Sequence, residues 1–557
     1  MAQTELDRKF DAVFAAITGP GGQVILQGET PGQSIVANFP ATLPLFFKVF
    51  CALNGAVEAV VANDERLTFA ELDALSDRLA RGLVASGIMK GDRVGIAMRN
   101  CPSWILAYMG AAKAGAVVTL LNGWWQVEEL AHALDMTDPK LTFADEARAK
   151  RIAATGTAHP VSTIDIERPL AKAFENFLEL GEKEVALPDV AAEDDATILF
   201  TSGSTGIAKG AISTHRAVTT ATYAYATSLM TLKGILISDG RPPVNPPRTL
   251  LSVPMFHVTG EVPVLLNSFV IGRGMVIMPK WDAGEALRLI EKEKITYFVG
   301  VPTMSLELMN HPDRDHYDLS SLTDIAAGGA PRPASHVERL QQEFPGAQPA
   351  LGYGLTETNA VGCGNFWSNY AAKPGSTGRA QPGLVDLAIL GAGDTHLPPG
   401  ERGEIAIRSR ANIRGYWKND VATAEAFTAD GFVRSGDIGY VDEDGYLFIV
   451  DRKKDIIIRG GENISAAEVE AAIYGHPAVA EAAVIGMPDE RLGEVPMAII
   501  VRRDDSDLGE EELRLFLEGR LATFKVPAKF LFSADPLPRL GTGKIDRVTL
   551  KQQFARP

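Results

Sequence analysis

Residues 196–210, Ala-Thr-Ile-Leu-Phe-Thr-Ser-Gly-Ser-Thr-Gly-Ile-Ala-Lys-Gly, constrain this chain more than any other stretch. The apolar run Ile198, Leu199, Phe200 reads as a buried strand. It passes directly into six residues built only from Thr, Ser and Gly, and then reaches Lys209. Glycine lets successive N–H groups turn into one concavity, which suits a phosphate. Around Gly203 and Gly206, the hydroxyls of Thr201, Ser202, Ser204 and Thr205 can add hydrogen bonds, and Lys209 adds a positive charge. Gly/Ser-rich stretches are commonly flexible linkers, but a linker does not normally follow a buried strand and end in a single lysine. Spacing excludes a Walker A loop, which requires Gly-Lys-Ser/Thr. Here Lys209 follows Ala208 and precedes Gly210.

At 557 residues the chain is too long for one core and implies several domain-sized units. A net charge of −16 argues against non-specific nucleic-acid binding, which needs clustered Lys and Arg, while leaving room for a local anion site. Cys51, Cys101 and Cys363 form no CxxC pair and read as buried, reduced thiols. The histidines show no zinc spacing. The N-terminus has no apolar signal region, and Lys113 interrupts the most apolar run, residues 105–122. The expectation is a protein without a transmembrane segment, located in the cytoplasm, with a homodimer left open.

Strands alternate with helical patterns over much of the chain, which indicates a largely parallel sheet built from βαβ units. Thr68 with Glu71 three places on forms a capping box ahead of the stripe Leu72, Leu75, Leu79, Leu83. A helix is expected over 213–225, its N-terminus close to the bound phosphates. Residues 239–248, rich in Pro, read as an exposed loop. Short strands at turn-rich spacing over 384–450 suggest a β-barrel-like subdomain, and the last hundred or so residues a compact α+β unit. Several further blocks are chemically notable: Pro254-Met-Phe-His257, Ala327-Gly-Gly-Ala-Pro331, Gly352-Tyr-Gly-Leu-Thr-Glu-Thr358, Ser435-Gly-Asp437, Asp451-Arg-Lys-Lys454 and Gly541-Thr-Gly-Lys544. Taken singly, each is most simply a tight turn, a surface charge or a structural His.

Together, and in this order, these blocks resemble the signature segments of the adenylate-forming superfamily of acyl-CoA synthetases, peptide-synthetase adenylation domains and luciferases. The resemblance extends over residues 50–551 and departs at Ala208, where the family usually has Pro. It is nearest to bacterial fatty-acyl and aryl-CoA ligases through Gly460-Gly-Glu-Asn-Ile464. It implies two doubly wound α/β subdomains and a β-barrel-like one in residues 1–450, a hinge at 451–454, and a mobile α+β domain at 455–557. It implies further that Gly329, Ala330, Pro331, Gly352, Tyr353 and Gly354 border adenine, that Thr356 contacts phosphate and that Glu357 holds Mg²⁺. Asp437 would accept from the ribose hydroxyls with help from Arg452. Lys454 would be the hinge residue, Arg459 a contact for a CoA phosphate, and Lys544 the lysine bridging carboxylate and phosphate. His257 would stand between acyl pocket and nucleotide.

The implied reaction makes acyl-CoA, AMP and pyrophosphate from ATP, coenzyme A and a small carboxylic acid by way of an acyl-adenylate. Phe256, Gly260, Val301, Gly328 and Val361 suggest an apolar pocket. With Gly260 and Gly328 leaving room, a medium- or long-chain fatty acid is expected, with an aryl or alicyclic acid as the alternative. An amino-acid adenylation domain is disfavoured because residues 254–262 offer Glu261 but no Asp.

Overall fold

The computed structural model describes residues 3–554 apart from 29, 31, 63–64, 202–207, 330–331, 333, 453–454, 460–461, 490, 504–505, 519 and 541–543, together with the side chains of 452, 462 and 463. Two large sheets and a smaller one organise it. In the seven-stranded sheet the strands Val161–Ile164, Leu141–Asp145, Arg93–Ala97, Val117–Leu120 and Asp195–Thr201 run parallel. Lys209–Thr214 and Gly415–Tyr416 then add antiparallel edges. The 13-stranded sheet has a parallel half, from Glu58–Ala62 through Gly274–Ile277, Arg248–Leu251, Tyr297–Gly300 and Asp324–Gly328 to Gln348–Gly354. Its antiparallel half continues through Gly362–Phe366 and Gly378–Ala380 into the turn-rich segment expected to be β-rich, with strands Tyr446–Arg452, Val433–Val441, Gly403–Arg408 and Asp386–Leu390.

Local signals explain much of this. Thr68 caps the helix Phe69–Ala85 through the expected box with Glu71, and Leu72, Leu79 and Leu83 are buried. The helix Pro102–Lys113 is buried all round. Its Lys113 is neutralised by Asp73 at 2.5 Å and Asp77 at 2.6 Å, which is how a charge can sit in such a helix. Among the described residues, no helix is long and apolar enough to cross a membrane. The three thiols are buried, and burial pushes Cys101 and Cys363 up to about 12.

Two expectations fail. The segment expected as a helix from 213 is first a strand, Lys209–Thr214, and the helix is His215–Ser238, capped by Thr214. Because Lys209–Thr214 folds back antiparallel on Asp195–Thr201, the loop lies at the Thr201/Lys209 end and the helix N-terminus at the Asp195/Thr214 end. Six strand residues put it about 20 Å from the phosphate loop, so the helix dipole does not act there. The region before residue 45 also holds a helix, Glu5–Thr18, whose capping box uses Thr4 and Asp7. Its Asp7 accepts from Tyr446, Asn369 and Arg379, tying the N-terminus to the strand Tyr446–Arg452.

The strand Tyr446–Arg452 pairs within the large sheet, whereas Ile456–Arg459 belongs to the five-stranded C-terminal sheet. The helix Ala466–Tyr474 begins at Ser465, whose hydroxyl donates to the Val450 carbonyl at 2.7 Å.

Candidate active site

The hairpin end that carries the Thr/Ser/Gly loop brings Thr201 opposite Lys209. Ser202, Gly203, Ser204, Thr205 and Gly206 lie outside the described residues. The Lys209 ammonium stands over the Tyr416 ring, 4.9 Å from its centroid. Tyr416 reaches this place because Gly415–Tyr416 pairs with Lys209–Thr214, with Tyr416 opposite Ala211. Its hydroxyl donates to Glu357 Oε1 at 2.7 Å. Tyr416 therefore joins the loop lysine to the carboxylate assigned to a metal. Burial first, then the Glu357 charge, raises its phenol far above the ordinary range, so it remains a donor.

Glu357 is held from its backbone as well. Ile413 N–H donates to the Glu357 carbonyl at 2.9 Å. Asn359, with φ +50, is buried and donates to the Ala411 carbonyl and to Ser213 Oγ at 2.7 and 2.9 Å. Asn tolerates the left-handed region better than other L-residues, so this turn can close the 355–361 loop onto the hairpin. Gly354 is required for a different reason: a Cβ there would lie 1.9 Å from the Ala360 carbonyl oxygen. Thr356 and Glu357 are both half-buried at the edge of this loop.

Gly328 and Gly352 are register partners at the carboxyl ends of parallel strands, the usual position for ligands in such sheets. A Cβ on Gly352 would meet nothing within 4 Å, and one on Gly328 only the Gly352 carbonyl oxygen at 3.6 Å, so the two glycines floor an open space. At Gly329 φ is +75, and the closest neighbour of a Cβ would be Lys544 Cε at 3.2 Å, with Nζ at 3.6 Å. Ala330 and Pro331 lie outside the described residues. Lys544, from the C-terminal domain, is thus delivered to the floor of the large domain. Its charge also reaches His257, whose imidazole is held down at about 4, first by burial and then by Lys544, and is neutral at pH 7.

Tyr353 donates its hydroxyl to Asp437 Oδ2 at 2.7 Å and is buried. Asp437 sits opposite Arg452 in the strand pairing. The side chain of Arg452 and the residue Lys454 fall outside the described parts. Arg459 is oriented within its own domain, donating to the Phe524 carbonyl at 2.6 Å.

The acyl side needs correction at Gly260. Phe256 and Val361 are buried in one cluster, with Phe256 edge-on to Trp124 at 4.7 Å. Val301, half-buried, packs against the cluster of Phe298, Met304 and Leu308. Gly260 opens no channel. A Cβ there would lie 2.1 Å from the Pro254 carbonyl oxygen, because this glycine lets the π-helix Gly260–Leu266 pack on the 254–255 backbone. Beside it Glu261 is fully buried and accepts from the Tyr108 hydroxyl at 2.7 Å. Burial raises this carboxyl to about 7.

Among the described residues, no group of three or more His, Cys, Asp or Glu could by itself hold a metal. A hard cation at Glu357 would complete its shell from phosphate oxygens and water, which is how Mg²⁺ is usually bound, so the donor set fits Mg²⁺. Sequence reasoning missed Tyr416 and Asn359. An Asn directly after Thr-Glu-Thr was a usable signal for a left-handed turn, but nothing local to Tyr416 points at Glu357, 59 residues away.

Known proteins resemble this chain over most of its length. The AMP-binding enzyme family matches residues 47–417, and the AMP-binding enzyme C-terminal domain matches 468–544. A feruloyl-CoA synthase from Amycolatopsis is 36% identical over 89% of this chain and 96% of its own length. A long-chain-fatty-acid–CoA ligase from Bacillus subtilis is 34% identical over 89% of this chain and 91% of its own. The solved Mycobacterium tuberculosis fatty acyl CoA synthetase superposes with TM-score 0.71 at 31% identity, covering 92% of this chain and 98% of that one. The chain therefore belongs to the AMP-binding enzyme family, among the adenylate-forming acid–thiol ligases that join carboxylic acids to CoA.

Proposed function

We propose that this ligase acts on an apolar carboxylic acid through an acyl-adenylate, with the two half-reactions divided between two positions of the C-terminal domain. The observation that carries the reading is Lys544 at Gly329, beside the open space over Gly328 and Gly352. A carboxylate oxygen attacking the α-phosphorus of ATP brings anions together. Lys544 and Lys209 are the cations that offset this charge. Asp437, steadied by the Tyr353 hydroxyl, would take the ribose hydroxyls. Mg²⁺ held by Glu357 would add neutralisation of the phosphates. His257, uncharged, would border the acyl group without competing with Lys544 for the carboxylate. In the second half-reaction the CoA thiol displaces AMP, which requires Lys544 to leave. Residues 451–454, which along the chain precede the first strand of the C-terminal sheet, Ile456–Arg459, would supply the hinge, with Lys454 as its pivot.

For the acid, the Trp124–Phe256 wall favours an aryl acid, and Gly260, closed by the Pro254 backbone, adds no room for a long chain. The second reading, a medium- or long-chain fatty acid, is supported by the 34% identity to a long-chain-fatty-acid–CoA ligase. Pyrophosphate release across a panel of acids, with and without CoA and followed by mass spectrometry, tests both. Hydroxycinnamate-like acids are expected to give CoA thioesters. Turnover restricted to long-chain acids would select the second reading, and release with an amino acid but no thioester would reject both.

A further inference from the structure

Away from the reaction floor, Arg332 is only 5% exposed, yet among the described residues none of its Nε, Nη1 and Nη2 has a hydrogen-bond partner. A buried guanidinium without an anion is costly. Tyr370 lies beside it, with its ring centroid 6.0 Å from the guanidinium carbon. The phenol oxygen stabilises the cation, and that hydroxyl too is buried, with its hydrogen-bonding capacity unfilled among the described residues. His336, in the first turn of the helix Ala334–Glu343, has a buried Nδ1 in the same condition.

The neighbourhood is cationic and lies between domains. Tyr474 of the C-terminal helix Ala466–Tyr474 stands edge-on to His336 at 6.4 Å. The charges of Arg332, Arg339 and Arg503, the last from the C-terminal domain, all bear on His336 and, with burial, keep it neutral. Arg339 is engaged by Asn310 and Glu343, and Arg503 by the Val479 carbonyl. Among the described residues no carboxylate pairs with Arg332. Tyr370 packs with Ala327, Val337 and Leu351. Side chains alternate along a strand, so Ala327 and Leu351 face away from Gly328 and Gly352.

We propose that Arg332, His336 and Tyr370 form a second anion site, specific for a phosphoryl group, at the junction of the two domains and on the face of the sheet opposite the reaction floor. A carboxylate would be used up by the guanidinium fork alone, whereas a phosphoryl group offers three acceptor oxygens and can also take the imidazole and phenol donors. Two sources share this chemistry: free phosphate or pyrophosphate, and the 3′-phosphate of CoA. The second source rests on the ligase reading.

The test is thermal unfolding of the full chain carrying Lys209→Ala, which disarms the ATP phosphate loop, titrated with orthophosphate, pyrophosphate, CoA or 3′-dephospho-CoA. A saturable rise of about 3 °C is expected with at least one of them. It should be lost on adding Arg332→Leu and partly kept with Arg332→Lys. A rise with the inorganic anions identifies the free source. A rise with CoA but not its dephospho form identifies the cofactor. Equal rises with and without Arg332→Leu, or no rise with any probe, overturn the proposal. Should Arg332→Leu not fold, Tyr370→Phe replaces it, and an unchanged half-saturating concentration is then the overturning result.

Discussion

Two glycine positions that look equivalent in the sequence do opposite things. Gly352 has nothing within 4 Å of where a side chain would start, whereas Gly260 has the Pro254 backbone at 2.1 Å. One glycine keeps a floor clear for ligands, and the other lets a helix touch a neighbouring segment of backbone. Glycine content alone therefore says nothing about cavity space. What matters is whether the missing Cβ would point into solvent or into backbone, and each region carries its own chemistry. The floor meets Lys544, and Lys209, Tyr416 and Glu357 form a linked group of their own. The helical wall collects Gly260, Glu261 and Tyr108, which are sealed from solvent.

Substitutions on either side of this contrast should separate sharply. The largest effect is expected on the floor. Lys544→Ala should lower acyl-adenylate formation about 10³-fold, as for loss of a preorganised charge stabiliser, while thioester formation from supplied acyl-AMP is largely kept. Equal loss of both half-reactions in rapid-quench assays would break the link between Lys544 and the floor. On the wall, Gly260→Ala should destabilise the fold by about 3 kcal/mol, the upper range of overpacking, and a denaturation midpoint unchanged from wild type would restore the idea of a channel there.

Glu261 offers a pH test of the same wall. Its carboxyl titrates near the ordinary 4.5 when unfolded and at about 7 when folded. Between these values the folded state holds the extra proton, so stability is full below pH 4.5 and falls as pH rises through 7. Glu261→Gln should remove this slope, worth on the order of 3 kcal/mol at pH 8. A wild-type stability curve that is flat between pH 5 and 8, as judged by urea denaturation, would contradict a sealed wall. Tyr416→Phe should cost about 1.5–3 kcal/mol of transition-state stabilisation, the scale of a hydrogen bond to a charged group, and raise the Mg²⁺ concentration needed for half-maximal pyrophosphate release. A Mg²⁺ requirement matching wild type would detach Tyr416 from Glu357. The smallest effect on folding belongs to Gly352→Ala, within about 0.5 kcal/mol, with a raised KM for ATP as its readout.

Much of the molecule was legible in the chain because the signals are local. The capping box at Thr68 and Glu71, the parallel strands alternating with helices, and the block containing Lys544 each declare themselves within a few residues. The helix placed directly after the loop was misread because Ile212 and Ser213 carry no strong periodicity. Only pairing with Asp195–Thr201 decided that they extend a hairpin.

By itself, the sequence determined the alternation of parallel strands with helices, the β-rich segment that follows it and the family, since these depend on residue types at short spacing. The tertiary structure alone decided that Lys544 meets Gly329, that Tyr416 holds Glu357, that Gly260 is sealed and that Arg332 is buried with no hydrogen-bond partner among the described residues. Each of these is a contact, or a missing contact, between segments distant along the chain. Such a contact depends on how strands register and helices pack, which no local pattern of side chains specifies.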